Sequence, residues 1–459
     1  MLEELKIPDM RAALEEGDIA GVVAFLNDNH PADSAPLLEA LRPDESLVLL
    51  NALDSQLRAD LFCELSGGYQ ADLAELLESD ILAQLASRLS PDDRVDLLKS
   101  LPSEQMDEIM TTLAAPERED VKLLASYPEG TAGAMMTSEY IALPADLTVA
   151  VAMERIRREA PKKESVYNSY IVDAEKRLLG KATLRDLILA EPEALLSAIM
   201  EDQVASVGAN EDREEAVYKL AHYDLLDVPV LDEHGAMLGI ITHDDAMDAM
   251  EDEHTEDMER FMAISGGHDE TSYMQTSAWS HFKHRVLWLV ILAGFGLVSG
   301  AILQSFEQTL ASLIILAFYM PMLADTGGNT GSQSATVIIR ALALKQLSIK
   351  DTLKVLWKEL RIALLLCLVL GSMAFLRVFF FTKLGQVPDS MSMASIAFAI
   401  ATALSIQVVS ATVIGAALPL AAFRLGMDPA LIASPMLATI VDITGLFIYF
   451  TSARLILGI

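Results

Sequence analysis

Residues 286–306 form an uninterrupted run of 21 residues without a charged side chain. At about 1.5 Å of helical rise per residue, a helix of this length covers the roughly 30 Å of hydrocarbon in a bilayer. Backbone polar groups at that depth have no water to bind, and a helix pairs nearly all of them internally. The run is therefore predicted to be a membrane-spanning helix.

Four further apolar stretches follow, and a transmembrane domain with five helices is predicted over residues 286–459. The stretches cover approximately residues 310–339, 362–381, 396–420 and 431–456. Basic residues precede the first span and separate the second from the third, whereas the connection after the first span holds only Glu307. Because basic connections mark the cytoplasmic side, we expect a multi-pass protein of the cell (inner) membrane. Its N-terminus is predicted in the cytoplasm and its C-terminus outside.

Charge divides the chain into two parts. Residues 1–285 hold 23 Lys or Arg against 59 Asp or Glu, whereas residues 286–459 hold 10 against 7. So acidic a region repels phosphate backbones, which excludes nucleic acid as a partner and favours cations. The two cysteines of the chain are too few for a disulfide framework or a zinc site.

Residues 1–130 are predicted to form an N-terminal α-helical repeat domain of the solenoid type. Leu and Val recur at helical spacing between short Pro-Asp breaks, and residues 41–53, 89–101 and 101–113 resemble one another. Ser90 followed by Pro91 is a typical helix start. Short repeated helices of this kind stack into a solenoid.

The next segment changes to short β-branched runs separated by helical stretches, which is typical of α/β domains. It also repeats itself at an offset of 59 residues, so that a Gly-x-x-Thr-x-x-Asp motif occurs at residues 180–186 and again at residues 239–245. This duplication resembles the tandem cystathionine β-synthase (CBS) regulatory module. The two modules are predicted at residues 131–198 and 199–250.

The repeated motif contains candidate nucleotide-binding residues. Thr183 and Thr242 would open a helix, and Asp186 would accept hydrogen bonds from a ribose at the helix start. A threonine and an aspartate at this spacing serve equally well as a simple helix cap.

Residues 251–285 are predicted to form a connecting helix between the CBS modules and the membrane. The stretch from Asp244 to Met262 is helical in pattern and strongly acidic, and the chain becomes basic near Arg285. A charge run of this kind is commonly a solvated linker helix. Its place between a regulatory module and the membrane favours a role in coupling the two.

Polar residues crowd the second predicted span, which contains Asp325, Asn329 and Gln333. Because lipid penalises such groups, this helix is expected to face protein or water. The pair Gly327–Gly328 is interpreted as a place where the helix loosens and exposes carbonyl oxygens beside Asn329 and Gln333. Close helix packing through small residues is the alternative.

Asp442 is a candidate ion ligand inside the membrane. It lies eleven residues after Leu431, roughly 16 Å along a helix and so near the middle of the bilayer. An ionisable side chain at that depth usually marks an ion path or a proton relay. Ser434 adds an oxygen, and no histidine follows His284. Oxygen ligands alone favour a hard cation such as Mg²⁺.

The order of acidic helical repeats, paired CBS modules, acidic connecting helix and five spans resembles the MgtE family of magnesium channels and transporters. The membrane signatures that carry the resemblance run from Pro321 through Gly-Gly-Asn-Thr-Gly-Ser-Gln333 and from Ser434 to Asp442. The resemblance implies a homodimer whose spans form a central pore. Asp442 of each subunit would face the hydrated Mg²⁺, with Asn329 and Ser434 as further oxygen ligands.

The resemblance also implies Mg²⁺ sites between the cytosolic domains, through which Mg²⁺ closes the pore. ATP at the CBS modules is a further implied cofactor, with Asp186 at its ribose. The residues at the matching metal positions are Glu214, Asp224, Asp245, Asp248, Glu253, Glu256, Asp257 and Asp428, with Asp92 and Asp96 on the helical domain.

The predicted function is transport of Mg²⁺ into the cytosol under negative feedback by Mg²⁺, without enzyme activity. One alternative is a CBS-regulated membrane sensor that conducts nothing, because CBS modules regulate many unrelated proteins. A weaker alternative is an intramembrane aspartyl protease built on Asp325 and Asp442. The Gly327–Gly328 pair leads to Asn329 and not to an acid, which counts against the protease.

Overall fold

The computed structural model describes residues 7–264, 276–382, 391–431 and 434–459. The chain divides into two compact units at the boundary between Glu253 and His254. The first unit contains the helical repeats and the α/β repeats, and the second contains the long apolar helices.

Short helices make up the chain from residue 7 to residue 124, which confirms the predicted helical N-terminal region. Side chains at the breaks cap them: the Ser90 hydroxyl accepts a hydrogen bond from the Asp93 N–H at 3.3 Å. The helices are α1 (Ile7–Glu15), α2 (Ile19–Asp28), α3 (Pro31–Glu39), α4 (Pro43–Ala52), α5 (Ser55–Cys63), α6 (Gly67–Leu76), α7 (Ser79–Ala86), α8 (Pro91–Ser100), α9 (Ser103–Thr112) and α10 (Ala115–Leu124).

Arginine side chains join successive helices of this region. Arg94 of α8 is 3% exposed and donates to the carbonyl oxygens of Ala86 and Leu89 at 2.6 and 2.8 Å. Arg58 of α5 donates in the same way to the Leu50 carbonyl at 2.8 Å. The last carbonyls of a helix have no partner within it. Each arginine therefore satisfies the end of the helix before its own.

Two three-stranded sheets of the same topology follow, with the first strand pair parallel and the second antiparallel. The register repeats as well, since Asn168 pairs with Thr183 in one sheet and Asp227 with Thr242 in the other. The structure thus confirms the predicted duplication. The elements are α11 (Ala132–Met135), β1 (Ile141–Pro144), α12 (Val149–Glu159), β2 (Asn168–Val172), β3 (Leu178–Thr183), α13 (Leu184–Leu189), α14 (Leu196–Ile199), β4 (Val207–Gly208), α15 (Arg213–His222), β5 (Asp227–Leu231) and β6 (Met237–Thr242).

An acidic helix, α16 (His243–Phe261), begins directly after β6. It runs without a break through residues 250 and 251, where the sequence predicts the end of the second module and the start of the connecting helix. Residues 265–275 of the predicted connecting helix lie outside the described residues.

Long helices dominate the second unit. Four of them are long and apolar enough to cross a membrane within the described residues: α17, α20, α21 and α22. A fifth, α19, has 29 residues but carries the polar signature of the second predicted span. The helices are α17 (Ala278–Ser305), α18 (Glu307–Ser312), α19 (Ile315–Ala343), α20 (Thr352–Phe381), α21 (Met393–Arg424) and α22 (Ser434–Leu457).

Helix α21 lies at the centre of this unit and packs against α19, α20 and α22. Its buried face is rich in alanine, which allows neighbouring backbones to come close. Gly415 lies close to Gly331 of α19, and a Cβ on Gly415 would overlap the Gly331 carbonyl oxygen.

The expectation that Gly327–Gly328 loosen the second span is wrong, because α19 is continuous from Ile315 to Ala343. Gly331 lies against the Ala411 carbonyl of α21, and Gly327 lies against Gln407. These glycines are four residues apart and so share one face of the helix. Close packing through small residues, the alternative interpretation, is correct for Gly327 and for Gly331, whereas a Cβ on Gly328 would meet nothing within 4 Å among the described residues.

Replacing Gly415 with alanine is expected to separate α19 from α21, because the new Cβ would meet backbone atoms. Overpacking of this kind costs about 1–3 kcal/mol. Gly328→Ala is the matched control, since nothing lies within 4 Å of its Cβ position. In full-length protein in detergent, the midpoint of thermal unfolding should fall for Gly415→Ala and stay or rise for Gly328→Ala. Equal midpoints would contradict this packing.

Candidate functional site

Asp442 is half-buried on α22 and lines a small cavity between α22 and α19. No ion pair with a lysine or arginine involves it in the part of the chain that the structure describes. A carboxylate at membrane depth therefore faces a cavity without a protein counter-charge. The other lining residues are Met320, Leu323, Ala324, Gly445, Leu446 and Tyr449.

The polar residues of α19 divide between two faces. Asp325, Asn329 and Gln333 follow one another at intervals of four residues, and all three are exposed in the single chain. On the packed side, Ser334 donates a hydrogen bond of 2.8 Å to Oε2 of Glu359, a residue of α20 that is only 7% exposed. The predicted ligand Asn329 thus belongs to an exposed polar stripe. The side chain of Ser434, the other predicted ligand, lies outside the described residues.

A second acidic cluster lies in the first unit, around Asp92 of α8 and Asp245 of α16. Asp92 is 9% exposed, and its Oδ1 atom is buried without a hydrogen-bond partner among the residues that the structure describes. Burial, followed by repulsion from Asp245 and Asp93, raises the pKa of Asp92 well above its ordinary value. Burial also raises the pKa of Asp245 to about 6, although Thr242 donates a hydrogen bond to it. Such carboxylates are suited to a cation, which would replace the missing partner.

Other predicted ligands of the first unit lie on its surface. Asp96, Glu214, Asp224 and Asp248 are all exposed. Partial burial and then repulsion from Asp252 raise the pKa of Asp248. Within the described residues, no three His, Cys, Asp or Glu side chains lie close enough together to hold a metal ion.

Three predicted metal ligands have arginine partners that the sequence analysis did not consider. Glu253 accepts a hydrogen bond of 2.6 Å from Nε of Arg213, which joins α16 to the start of α15. Asp428, on the loop before α22, accepts a 3.0 Å hydrogen bond from Nη1 of Arg260 near the end of α16. The other side of the same guanidinium donates to Glu256. An arginine thus occupies the position between Glu256 and Asp428. The remaining predicted ligand of this helix, Asp257, is half-buried.

The repeated motifs of the α/β region form helix caps. Thr183 and Asp186 cap α13 reciprocally, with hydrogen bonds of 3.0 and 3.1 Å between backbone N–H groups and side-chain oxygens. The Thr242 hydroxyl likewise donates to Asp245 at the start of α16. Capping is therefore a role that these residues perform in the protein itself.

A polar network that the sequence analysis missed connects the two α/β repeats. Asp227 is 3% exposed and accepts hydrogen bonds from the Tyr170 hydroxyl, from Nδ2 of Asn168 at 2.7 Å and from the Ser165 hydroxyl at 3.2 Å. All three donors belong to the first repeat. Burial and then the Asp227 charge raise the pKa of Tyr170 well above its ordinary value. The 59-residue offset between Asn168 and Asp227 was the available signal for this contact.

Family models match most of the chain in the same order as these structural regions. Residues 29–130 match the MgtE intracellular N domain, and residues 132–193 and 196–252 each match the CBS domain. Residues 320–452 match a family described as divalent cation transporter, MgtE. The last match includes both the polar stripe of α19 and Asp442.

Similar proteins are magnesium transporters. The chain is 41% identical over 334 residues to the magnesium transporter MgtE of Thermus thermophilus. The aligned region covers 73% of this chain and 72% of the relative. The chain is 34% identical over 329 residues to the magnesium transporter MgtE of Bacillus subtilis, covering 72% and 70%.

A solved structure resembles about half of the chain. It is the crystal structure of the cytosolic domain of the Mg²⁺ channel MgtE in complex with ATP, with a TM-score of 0.50 and 34% sequence identity. The similarity covers 53% of this chain and all of that one. Together with the membrane signatures and the identity to curated relatives over nearly three quarters of the chain, this shows that the protein belongs to the MgtE family of magnesium transporters.

Proposed function

We propose that this protein carries Mg²⁺ across the membrane into the cytosol, with Asp442 facing the ion. The observation that carries the proposal is the half-buried Asp442 carboxylate on α22, which forms no ion pair with a lysine or arginine among the described residues. A charged group at membrane depth requires water or a counter-ion. The curated relatives are magnesium transporters, which makes Mg²⁺ the expected ion.

The exposed stripe of α19 supports a pore formed by two copies of the chain. Asp325, Asn329 and Gln333 are too polar to face lipid, and a single chain leaves them uncovered. In a homodimer with α17 and α19–α22 as five spans per subunit, two such stripes would line a shared aqueous passage. The stripe gives Asp325 a role as a further negative group in that passage. The basic connection between α19 and α20 favours a cytoplasmic N-terminus and an outside C-terminus.

Carboxylate and amide oxygens suit Mg²⁺ in a particular way. Mg²⁺ releases water reluctantly and is usually held by one or two carboxylates while it keeps several water molecules. Asp442 and Asn329 would then bind the hydrated ion through its water molecules, with Ser434 as a further oxygen donor. Such binding is weak enough to let the ion leave, as conduction requires.

The cytosolic carboxylates support closure of the pore by Mg²⁺. Two carboxylates about 5 Å apart repel by roughly 3 kcal/mol at an effective dielectric constant near 20. Mg²⁺ would remove that repulsion around Asp92 and Asp245, where a buried oxygen has no partner. Asp96, Glu214, Asp224, Asp248, Glu253, Glu256, Asp257 and Asp428 supply the acids for further ions.

Several ions are needed for such a switch. One site held at tenfold its dissociation constant contributes about 1.4 kcal/mol. Reversing a 99:1 preference requires about 5.5 kcal/mol, which corresponds to roughly four ions. The number of acids along α8, α15 and α16 is sufficient for this. Scarce cytosolic Mg²⁺ would open the pore, and plentiful Mg²⁺ would close it through α16 as the connecting helix.

ATP binding to the CBS repeats is a second part of the proposal. The related cytosolic domain was crystallised with ATP. Asp186 is exposed at the start of α13, next to its capping partner Thr183, and is accessible to ribose hydroxyls. Thr242 is the equivalent of Thr183 in the second repeat. The nonconducting sensor and the aspartyl protease are less favoured, since neither explains the similarity to magnesium transporters.

Asp442→Asn is expected to reduce Mg²⁺ uptake into proteoliposomes, because the charge that attracts the hydrated ion is lost. A hydrogen bond to a charged group contributes about 1.5–3 kcal/mol, which corresponds to roughly ten- to a hundredfold in rate or affinity. Glu307→Gln, an exposed acid on the connection after α17, is the control and should transport normally. Undiminished uptake by Asp442→Asn would overturn the proposed pore.

Asp92→Asn is expected to stabilise the metal-free protein, since a buried carboxylate without a full set of partners is destabilising. The midpoint of thermal unfolding in EDTA should rise, and its further increase on addition of Mg²⁺ should become smaller. Asp96→Asn removes the same charge from an exposed position of α8 and should leave the midpoint in EDTA unchanged. A lower midpoint for Asp92→Asn in EDTA would contradict this assignment.

Arg260→Gln is expected to make the full-length protein more sensitive to Mg²⁺, because the arginine competes for Glu256 and Asp428. In limited proteolysis, Mg²⁺ should protect the unmodified protein from cleavage. The variant should reach the same protection at an up to about fivefold lower Mg²⁺ concentration, because an exposed ion pair contributes up to about 1 kcal/mol. Arg157→Gln, which removes a surface pair with Glu154, is the control. A cleavage pattern indifferent to Mg²⁺ in every variant would count against feedback itself.

A further inference from the structure

Gln407 of α21 has a fully buried amide at the centre of the second unit. The proposed transport of Mg²⁺ gives this side chain no role. It is 0% exposed on α21. The Nε2 atom donates a hydrogen bond of 2.9 Å to the carbonyl oxygen of Val441, the residue before Asp442. This bond therefore connects the central helix to the backbone of α22 directly beside the proposed ion ligand.

Two glycines provide the space for this amide. A Cβ on Gly327 of α19 or on Gly445 of α22 would overlap Nε2 of Gln407. A Cβ on Gly327 would also lie 3.0 Å from Cγ1 of Val441. Three helices thus meet at one side chain, and two of them have no side chain of their own at this point. The packing leaves Gln407 little freedom to adopt another rotamer.

The amide is costly where it lies. Its Oε1 atom is buried without a hydrogen-bond partner in the described structure. An unpaired buried acceptor destabilises a fold, and an apolar side chain of similar length would fill the same space without this cost. The donor to Val441 is therefore the distinctive contribution of this side chain.

The hydrogen bond from Gln407 to Val441 lies where it can fix the rotation of α22 about its axis. Val441 is 0% exposed and faces the packed helices, and the next residue along a helix points about 100° away from it. With Val441 held by Gln407, the Asp442 side chain turns toward the cavity lined by Met320 and Leu323 of α19. Rotation of α22 about its axis would break the bond and move Asp442 out of this cavity.

We propose that Gln407 is a positioning residue that holds α22 in the rotation at which Asp442 faces the ion path. This inference rests on the proposed transport of Mg²⁺ past Asp442. The orientation of the Asp442 side chain would then depend on Gln407, which lies on another helix and does not itself contact the ion.

The first test is Gln407→Met, which keeps the length of the side chain and removes the donor. In proteoliposomes, the Mg²⁺ concentration for half-maximal uptake should rise roughly two- to tenfold, the effect of losing one buried hydrogen bond. Thr412→Val is the matched control, since this buried hydroxyl of α21 donates to the Val408 carbonyl of its own helix and has no other hydrogen bond within the described residues. An unchanged half-maximal concentration in Gln407→Met, or an equal change in both variants, would overturn the proposal.

A second measurement reads the rotation of α22 without relying on flux. Cysteine is placed at position 441 or 442 in a chain whose Cys63 and Cys367 are replaced by serine. A small water-soluble thiol reagent should modify position 442 faster than position 441, and Gln407→Met should reduce that difference. An undiminished difference would overturn the role of Gln407 while leaving the proposed pore intact. An unreactive cysteine at position 442 with Gln407 present would instead count against an aqueous path, and with it against the inference.

Gly445→Ala serves if Gln407→Met does not fold. The added Cβ would displace the Gln407 amide from the Val441 carbonyl while the glutamine itself is retained. The difference in thiol reactivity should fall in this variant as well, and Gly328→Ala, where space is open, should retain it. Retention of the difference in Gly445→Ala would overturn the proposal.

Discussion

A polar group at membrane depth must find a partner inside the protein or in water, and this requirement organises the second unit. Ser334 and Glu359 pair between α19 and α20, and Gln407 binds the backbone of α22. Asp442 has no such partner among the described residues and faces a cavity instead. Ser334 and Glu359 are paired, and Gln407 is paired through one of its two polar atoms, whereas Asp442 has no such partner among the described residues. We propose that this contrast separates the scaffold from the ion path.

The first unit and α16 carry many more carboxylates than bases. Their carboxylates are too numerous to be paired by the available bases, and arginines neutralise only some of them, as Arg213 does for Glu253. Asp92 and Asp245 are left with raised pKa values and no base. A divalent cation can neutralise such groups from solution, so the stability of this region is expected to depend on the free Mg²⁺ concentration. We propose that the surplus negative charge of this region serves as a sensor of Mg²⁺.

Much of the architecture was predictable because it depends on local sequence. Helical periodicity in residues 7–124 and the 59-residue repeat were visible directly, since each reflects contacts within one repeat unit. The structural role of Gly327–Gly328 was not predictable, because a glycine pair in a polar span is compatible with a loosened helix as much as with a close helix contact. The continuity of α19 and the packing of Gly327 against Gln407 of α21 decide between them. The contact of Arg260 with both Glu256 and Asp428 could not be predicted either, because 168 residues separate Arg260 from Asp428.

The sequence by itself determined the order of the domains, the apolar helices, the excess of acid in residues 1–285 and the carboxylate at position 442. These features follow from composition and periodicity, which no tertiary contact can change. The tertiary structure decided which polar groups are paired. Asp325 and Asn329 are exposed whereas Ser334 is buried, although all lie on one helix, because the rotation of a helix is set by its neighbours. For the same reason, the position of the Gln407 side chain between Gly327 and Gly445 follows only from the packing of three helices.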